Sequence, residues 1–400
     1  MKRLSTILVT LIVIYILCAG TRPGYTGEAR GVTDNTITIG VIADQTGLAA
    51  PVTVPYTNAT RTLFRSINDH GGINGRKVKI IVEDDHYTIP GAIAGFKKLV
   101  FRDKVLTILC TGGTGQTYAL SSQIEKNKVP VIPVSLAEGL ATPVRRYIFL
   151  ASASYDDTLK LCVDYIMKDL KAKNPKIAMV YPDVEFGKNG YRATEKYLKN
   201  YNLEFSATSI INLTEIDATS QVLTLKKADP DYIIIHDAVA GLISFFRAAK
   251  QYNLRAKVLG SFYASDEDNI KGTGDAMKDA LVVSPFGYWT DNIPGMAQLR
   301  EITKKYYPET KRMIRSYTQG WITSMICAEG LKRAGKNLNP DTLVEAYETF
   351  NNFSTGGISA PVSYSKTNHK GGTISKLYKV DVENQTFIPI TEFREPAFKD

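Results

Sequence analysis

Read for the alternation of apolar and polar positions, the chain repeats one unit from about residue 37 onward: a short apolar run, then a longer segment of helical periodicity. The runs 37–43, 77–83, 107–110 and 131–134 are of strand length and rich in Ile and Val. Between them, 56–69, 89–101 and 116–127 carry apolar residues at helical spacing, the first halted by Gly71 and Gly72. The pattern restarts after Leu150, where helices over 155–170, 189–199, 219–227 and 239–252 alternate with strands over 176–181, 203–211, 232–236, 257–260 and 281–283. Such alternation predicts parallel sheets covered by helices on both faces, and the restart predicts two of them: an α/β protein of two doubly wound parallel-sheet lobes. Past Pro285 the chain turns helical, at 295–307, 317–334 and 339–350, and it closes with strand-like runs at 374–380 and 386–390.

Four hundred residues, 44% hydrophobic and 22% charged, suffice for two cores of that kind. A net charge of +9 raises nucleic acid as a partner, but no basic run exceeds two residues, so the charge reads as solvated surface and no nucleic-acid role is expected. Residues 1–20 join a positive start (Lys2, Arg3), an apolar run at 7–17 and the small residues Ala19 and Gly20, which are the parts of a secretory signal peptide. That run is shorter than the ~20 residues of a bilayer-spanning helix. A periplasmic or otherwise extracytoplasmic protein is expected, and loss of Lys2 and Arg3 takes two from the net charge. Cys18 offers the alternative of a lipid anchor, disfavoured by Leu17 where a small residue should precede a lipidated cysteine. Cys110, Cys162 and Cys327, odd in number and widely spaced, read as buried free thiols rather than a disulfide framework or zinc ligands, and neither a metal nor a cofactor is expected.

In open parallel sheets, ligands gather beyond the carboxyl ends of the strands. That rule marks 47–55, 111–115, 135–139, 182–187, the pair His236 and Asp237, and 261–268. Thr111-Gly112-Gly113-Thr114-Gly115 leads from a strand into a helix, so it can present backbone N–H groups and two hydroxyls to an anion such as a carboxylate. It reads equally as a tight turn in which glycine supplies backbone freedom. It lacks the Gly-Lys-Ser/Thr of a P-loop and the G-x-G-x-x-G spacing of a dinucleotide site. Ser135 follows the next strand and faces the same crevice. His236 and Asp237 end an apolar strand, where a ligand contact and a structural role are both open. No serine sits in a G-x-S-x-G elbow, the four histidines are dispersed, and the consecutive Asp84 and Asp85 would face opposite ways in a strand. No catalytic residue is assigned and no enzyme is expected.

Ile39-Gly40-Val41, Ile67-Asn68-Asp69, the run from Gly71-Gly72-Ile73-Asn74-Gly75 to Arg76-Lys77-Val78, and Glu83-Asp84-Asp85 resemble the opening of the leucine/isoleucine/valine-type periplasmic binding proteins. Those proteins serve ABC importers of branched-chain amino acids and related compounds. The likeness continues through Val129-Pro130-Val131-Ile132-Pro133, Asp229-Pro230-Asp231 and 357–361. It implies the type I periplasmic binding fold, two lobes joined by a three-crossover hinge that closes on a ligand. The crossovers fall near Ala151, Ser284 and Gly372, giving an N-terminal lobe of 31–151 and 284–372 and a C-terminal lobe of 152–283 and 373–400.

Carried over position by position, the turn that holds a ligand's carboxylate falls on Thr111, Gly112 and Thr114, and the next loop on Ser135 and Ala137. The aromatic that packs over the ligand falls on Phe186. A second aromatic position falls near Ala238, preceded by His236 and Asp237, and the acid that pairs with a ligand's ammonium falls on Phe262. A buried ammonium without a counter-ion costs several kcal/mol, so Asp237, Asp266 or Glu267 must replace that acid or the ligand has no amine. With Phe186 and Phe262 as aromatic faces and Val52 at the first loop, the expected ligand is a small apolar or aromatic carboxylate, branched-chain amino acid-like or an aromatic or fatty acid, and this departure from the family favours one without an amine. The resemblance implies a monomeric solute receptor whose partners are that small molecule and an ABC permease in the membrane. A ligand sensor of the same fold is the alternative, and a secreted α/β enzyme a second one.

Overall fold

The computed structural model describes residues 29–398; the signal peptide of 1–20 and the Cys18 anchor lie outside the described residues. Four strands, β1 (Thr36–Ile42), β2 (Lys77–Glu83), β3 (Thr107–Thr111) and β4 (Val131–Ile132), form a parallel sheet in the order β2-β1-β3-β4. The centre of this sheet is apolar on both faces, since Ile39, Val41, Ile108 and Leu109 are all buried. At its edge β2 alternates, with Val78 buried between exposed Lys77 and Lys79.

The second sheet contains β5 (Ile177–Tyr181), β6 (Phe205–Ile210), β7 (Tyr232–Ile235), β8 (Lys257–Gly260), β9 (Leu281–Ser284), β10 (Lys376–Asp381) and β11 (Thr386–Pro389), in the order β11-β10-β9-β8-β7-β5-β6. Strands β5 to β9 are parallel, while β10 and β11 pair antiparallel. The last two strands therefore depart from the parallel winding: β10 runs antiparallel to β9, and β11 turns back on β10 because residues 382–385 are too few for the crossover that parallel neighbours need.

The helices are α1 (Ala50–Asp69), α2 (Ile89–Lys97), α3 (Thr114–Lys126), α4 (Tyr155–Asp164), α5 (Glu185–Leu198), α6 (Thr219–Ala228), α7 (Val239–Gln251), α8 (Glu267–Thr273), α9 (Pro294–Tyr306), α10 (Arg315–Ala334) and α11 (Pro340–Glu348). Several start earlier than the periodicity predicts, and the shifts of α1, α3 and α5 matter for the site. The segment 50–55 is helix rather than loop: Pro51 occupies the first turn, where an N–H has no partner anyway, and the Val52 and Thr53 N–H groups bond to Ala49 O at 2.9 and 3.0 Å. Thr114 and Phe186 likewise stand in the first turns of α3 and α5.

Helix α10 lies between β9 and β10 in the chain but packs along α1, across the first sheet. At Gly320 the approach is so close that a Cβ would lie 2.3 Å from Tyr56 O, and Ser324 Oγ donates to Thr60 Oγ1 at 3.0 Å. The chain thus passes between the sheets after β4, after β9 and before β10. The first and third passages run side by side, with Leu150 N on His369 O at 2.8 Å and Gly371 N on Leu150 O at 2.9 Å. Cys110, Cys162 and Cys327 are buried free thiols, and among the described residues no helix is long and apolar enough to cross a membrane.

Candidate ligand cleft between the lobes

Between the two sheets lies a cavity of about 50 Å³. At ~10–15 Å³ for each water-sized group, that is room for about three to five such groups. Its lining comes from the segments that follow the carboxyl ends of β1 to β8: Leu48, Tyr87, Gly113 and Ser135 from the first sheet, and Phe186, Leu213, Val239 and Tyr263 from the second. This is where the parallel-sheet rule puts a ligand.

The polar end of the cavity is the start of α3. Gly113 is its N-cap and supplies no side chain, so the N–H groups of the first turn are left facing the cavity with the positive end of the helix dipole. Beside them the hydroxyls of Thr114 and Ser135 lie 2.8 Å apart, both buried. Ser135 Oγ also accepts the Ala137 N–H at 3.3 Å. Tyr155, in the first turn of α4, donates to the Tyr263 hydroxyl at 3.1 Å. Burial lifts both phenols above their ordinary pKa, so they stay neutral; with the Tyr155 proton given to Tyr263, the Tyr263 O–H is the donor left for a ligand. Gly112 has to be glycine: its φ is +76°, and a Cβ would lie 2.1 Å from Asp85 Oδ2. The remaining walls are apolar, with Leu48, Val52, Phe186, Leu213 and Val239. Val239 holds φ at +47°, an uncommon and costly conformation for a β-branched residue, of the kind that concentrates at binding sites.

No charged side chain lines this cavity. Asp85 sits behind Gly112 and is pushed up to about 6, chiefly by burial. The three acids that could have met an ammonium are engaged or neutral. Asp237 is buried, spends Oδ1 on the Ala238 N–H at 2.7 Å, and is held well above the carboxylate range by desolvation. Asp266 is bound by Arg315 at 3.1 Å and by the Ser316 hydroxyl at 2.5 Å. Glu267 accepts the Arg315 N–H at 2.6 Å and is raised to about 8 by burial and by Asp266.

Of the residues picked from sequence, Val52, Gly112, Thr114, Ser135 and Phe186 line the cavity. Thr111 does not: its hydroxyl faces Thr117 Oγ1 at 2.6 Å, beneath the turn. Ala137 is fully buried and contributes its N–H to Ser135. His236 lies behind Phe186, with ring centroids 4.1 Å apart, Nδ1 on Ser261 Oγ at 2.5 Å and Nε2 3.3 Å from Phe186 O. Burial pushes its pKa down to about 3, so it is a neutral support for the aromatic wall. Phe262 is buried under the Arg315 guanidinium, 4.0 Å from ring centroid, and its neighbour Tyr263 turns into the cavity instead. The sequence did not single out Tyr87, Tyr155 or Tyr263, nor the apolar lining residues Val134, Leu213 and Val239. Tyr263 lies within the marked segment 261–268, beside Phe262, while Tyr87 and Tyr155 lie outside every marked segment.

A cleft framed by two doubly wound sheets, three passages of chain and a helix N-terminus defines a two-lobed ligand-binding protein. The periplasmic binding protein family model matches residues 36–386, and the chain belongs to that family, with the leucine/isoleucine/valine type as its relatives. The chain is 23% identical over 281 residues to the Leu/Ile/Val-binding protein homolog 7 of Brucella suis, covering 67% of this chain and 69% of that one. It is 24% identical over 240 residues to the Leu/Ile/Val-binding protein of Escherichia coli, covering 60% and 64%. In fold it is similar to a branched chain amino acid ABC transporter from Thermus thermophilus with bound valine (TM-score 0.85, 23% identity, 92% of this chain and 98% of that one). It is similar also to a fatty acid ABC transporter substrate-binding protein from Thermomonospora curvata (TM-score 0.83, 23% identity, 94% and 96%).

Proposed function

We propose that the protein is the extracytoplasmic receptor of an ABC importer, and that it holds a small apolar or aromatic carboxylate without an amine between its lobes. The lobes divide near Ala151, Ser284 and Gly372. The observation that carries the reading is the composition of the cavity: an open helix N-terminus and two hydroxyls at one end, apolar walls elsewhere, and no charged side chain. A carboxylate is stabilised there by N–H groups and the helix dipole. An ammonium in this inner cavity would be desolvated with no partner, since no carboxylate among the described residues lines it and Asp237, Asp266 and Glu267 nearby are neutral or already bonded. The relatives named for branched-chain amino acids and for fatty acids support transport of a carboxylate-bearing solute. Ligand capture shifts the open–closed equilibrium of the lobes, and the permease reads the closed form.

A thermal-shift screen over branched-chain amino acids, aromatic acids and short fatty acids tests this. A ligand at a hundredfold excess over its Kd stabilises the fold by ~2.7 kcal/mol. The reading requires a response to amine-free carboxylates. A response to leucine with none to benzoate or to fatty acids would overturn it.

A further inference from the structure

The 50 Å³ cavity does not end at its apolar walls. A second compartment of about 300 Å³ shares Leu48, Val52, Ala238, Val239 and Tyr263 with it and extends outward past Pro51, Ala240 and Ile243. We infer that this second compartment is a tail site, and that the ligand class is an unbranched medium-chain monocarboxylate. The inference rests on the carboxylate reading above and narrows it. Room for roughly three to five water-sized groups admits a carboxylate and the next one or two carbons. Branching at the second or third carbon, as in a branched-chain amino acid, puts extra atoms where the inner cavity has no space, while a linear chain passes between Val52 and Val239 into the apolar second compartment. The outer wall then sets the far end of the ligand. Asp268 lines it beside Asn269, Asp266 there is already held by Arg315, and no cation among the described residues lines it, so a methyl terminus is tolerated and a second carboxylate at the far end finds no partner.

Calorimetric titration with butyrate, hexanoate, octanoate and the eight-carbon dicarboxylate suberate tests the assignment, on the wild type and on Ala240→Trp and Pro51→Trp. These two variants fill the second compartment from opposite walls, and their melting curves show whether each is folded. Affinity should rise about fourfold per methylene from butyrate to octanoate, the equivalent of burying each CH₂. Suberate should bind about tenfold or more below octanoate, for want of a partner for its second charge. Each folded tryptophan variant should lose about tenfold or more for octanoate while butyrate changes by less than about twofold, because only the longer chain reaches the filled space. Affinity that is flat with chain length, or tryptophan variants that weaken butyrate as much as octanoate, overturns the tail site. Binding of benzoate without octanoate overturns it too and leaves the broader carboxylate reading standing; binding of no carboxylate at all overturns both.

Discussion

In the double variant Thr114→Val/Ser135→Ala the polar end of the cleft keeps its helix N-terminus and loses both hydroxyls. Those hydroxyls lie 2.8 Å apart and are buried, so one donates to the other and a single proton of the pair is left for the ligand. Removing either hydroxyl alone frees the survivor to turn its proton toward the carboxylate. Each single variant therefore loses only part of the interaction, and the double variant loses all of it. A hydrogen bond to a charged group contributes ~1.5–3 kcal/mol, which is about 10- to 150-fold in Kd. The double loss should exceed the sum of the two single losses by ~0.5 kcal/mol or more, the size of coupling found between contacting groups. Stability should change little, since removing both partners together leaves neither one unsatisfied; the Ala137 N–H alone gives up a bond, at 3.3 Å. Calorimetric titration with octanoate on the wild type, both single variants and the double variant completes the cycle. Octanoate affinity in the double variant within about twofold of the wild type would refute the placement of the carboxylate, because the lost hydrogen bonding would then be worth almost nothing.

Arg315→Met removes a fully buried guanidinium and strands Asp266, its partner at 3.1 Å. Denaturant titration should show a loss of ~3–5 kcal/mol, partly restored by adding Asp266→Asn; a loss under about 1 kcal/mol contradicts the pairing. Burial, and next to it the Asp266 charge, push the Glu267 carboxyl up from its ordinary 4.5 to about 8 in the folded protein. As pH rises the unfolded chain releases this proton first, so the folded state loses stability from the lower value up to the higher one and levels off beyond it. Glu267→Gln abolishes that slope, so its advantage in Tm over the wild type should grow from pH 5 to pH 8, and an advantage that shrinks would contradict the burial argument. Gly320→Ala places a Cβ 2.3 Å from Tyr56 O, forcing α10 away from α1 at a cost of ~1–3 kcal/mol; an unchanged urea midpoint would show that the two helices do not pack as described.

The alternation of strand and helix was legible because each run is long enough for its period to show, and the turn from Gly112 to Thr114 was legible because two glycines between a strand and a helix have few uses. What escaped depends on partners distant in the chain. Phe262 and Tyr263 are adjacent aromatics, and which of them faces the cleft is decided by Arg315, about fifty residues later, whose guanidinium covers the Phe262 ring. Thr111 carries the right chemistry, but its hydroxyl is taken by Thr117 one helical turn into α3. His236 stands at a strand end as a ligand contact would, yet the Phe186 ring lies over it. The helix expected over 56–69 begins at Ala50 and carries Pro55 inside it, a position proline disfavours and apolar periodicity therefore does not report as helix. The closing strands read correctly as strands, and their antiparallel sense follows from the short link between them, which apolar periodicity does not report.

The measurement that bears most directly on the account is a crystal structure of the protein grown with octanoate. The account predicts the carboxylate at the first turn of α3, within hydrogen-bond reach of the Thr114 and Ser135 hydroxyls, with the chain running outward between Val52 and Val239. A carboxylate bound elsewhere, or a cleft that excludes the molecule while the lobes are closed, would contradict it.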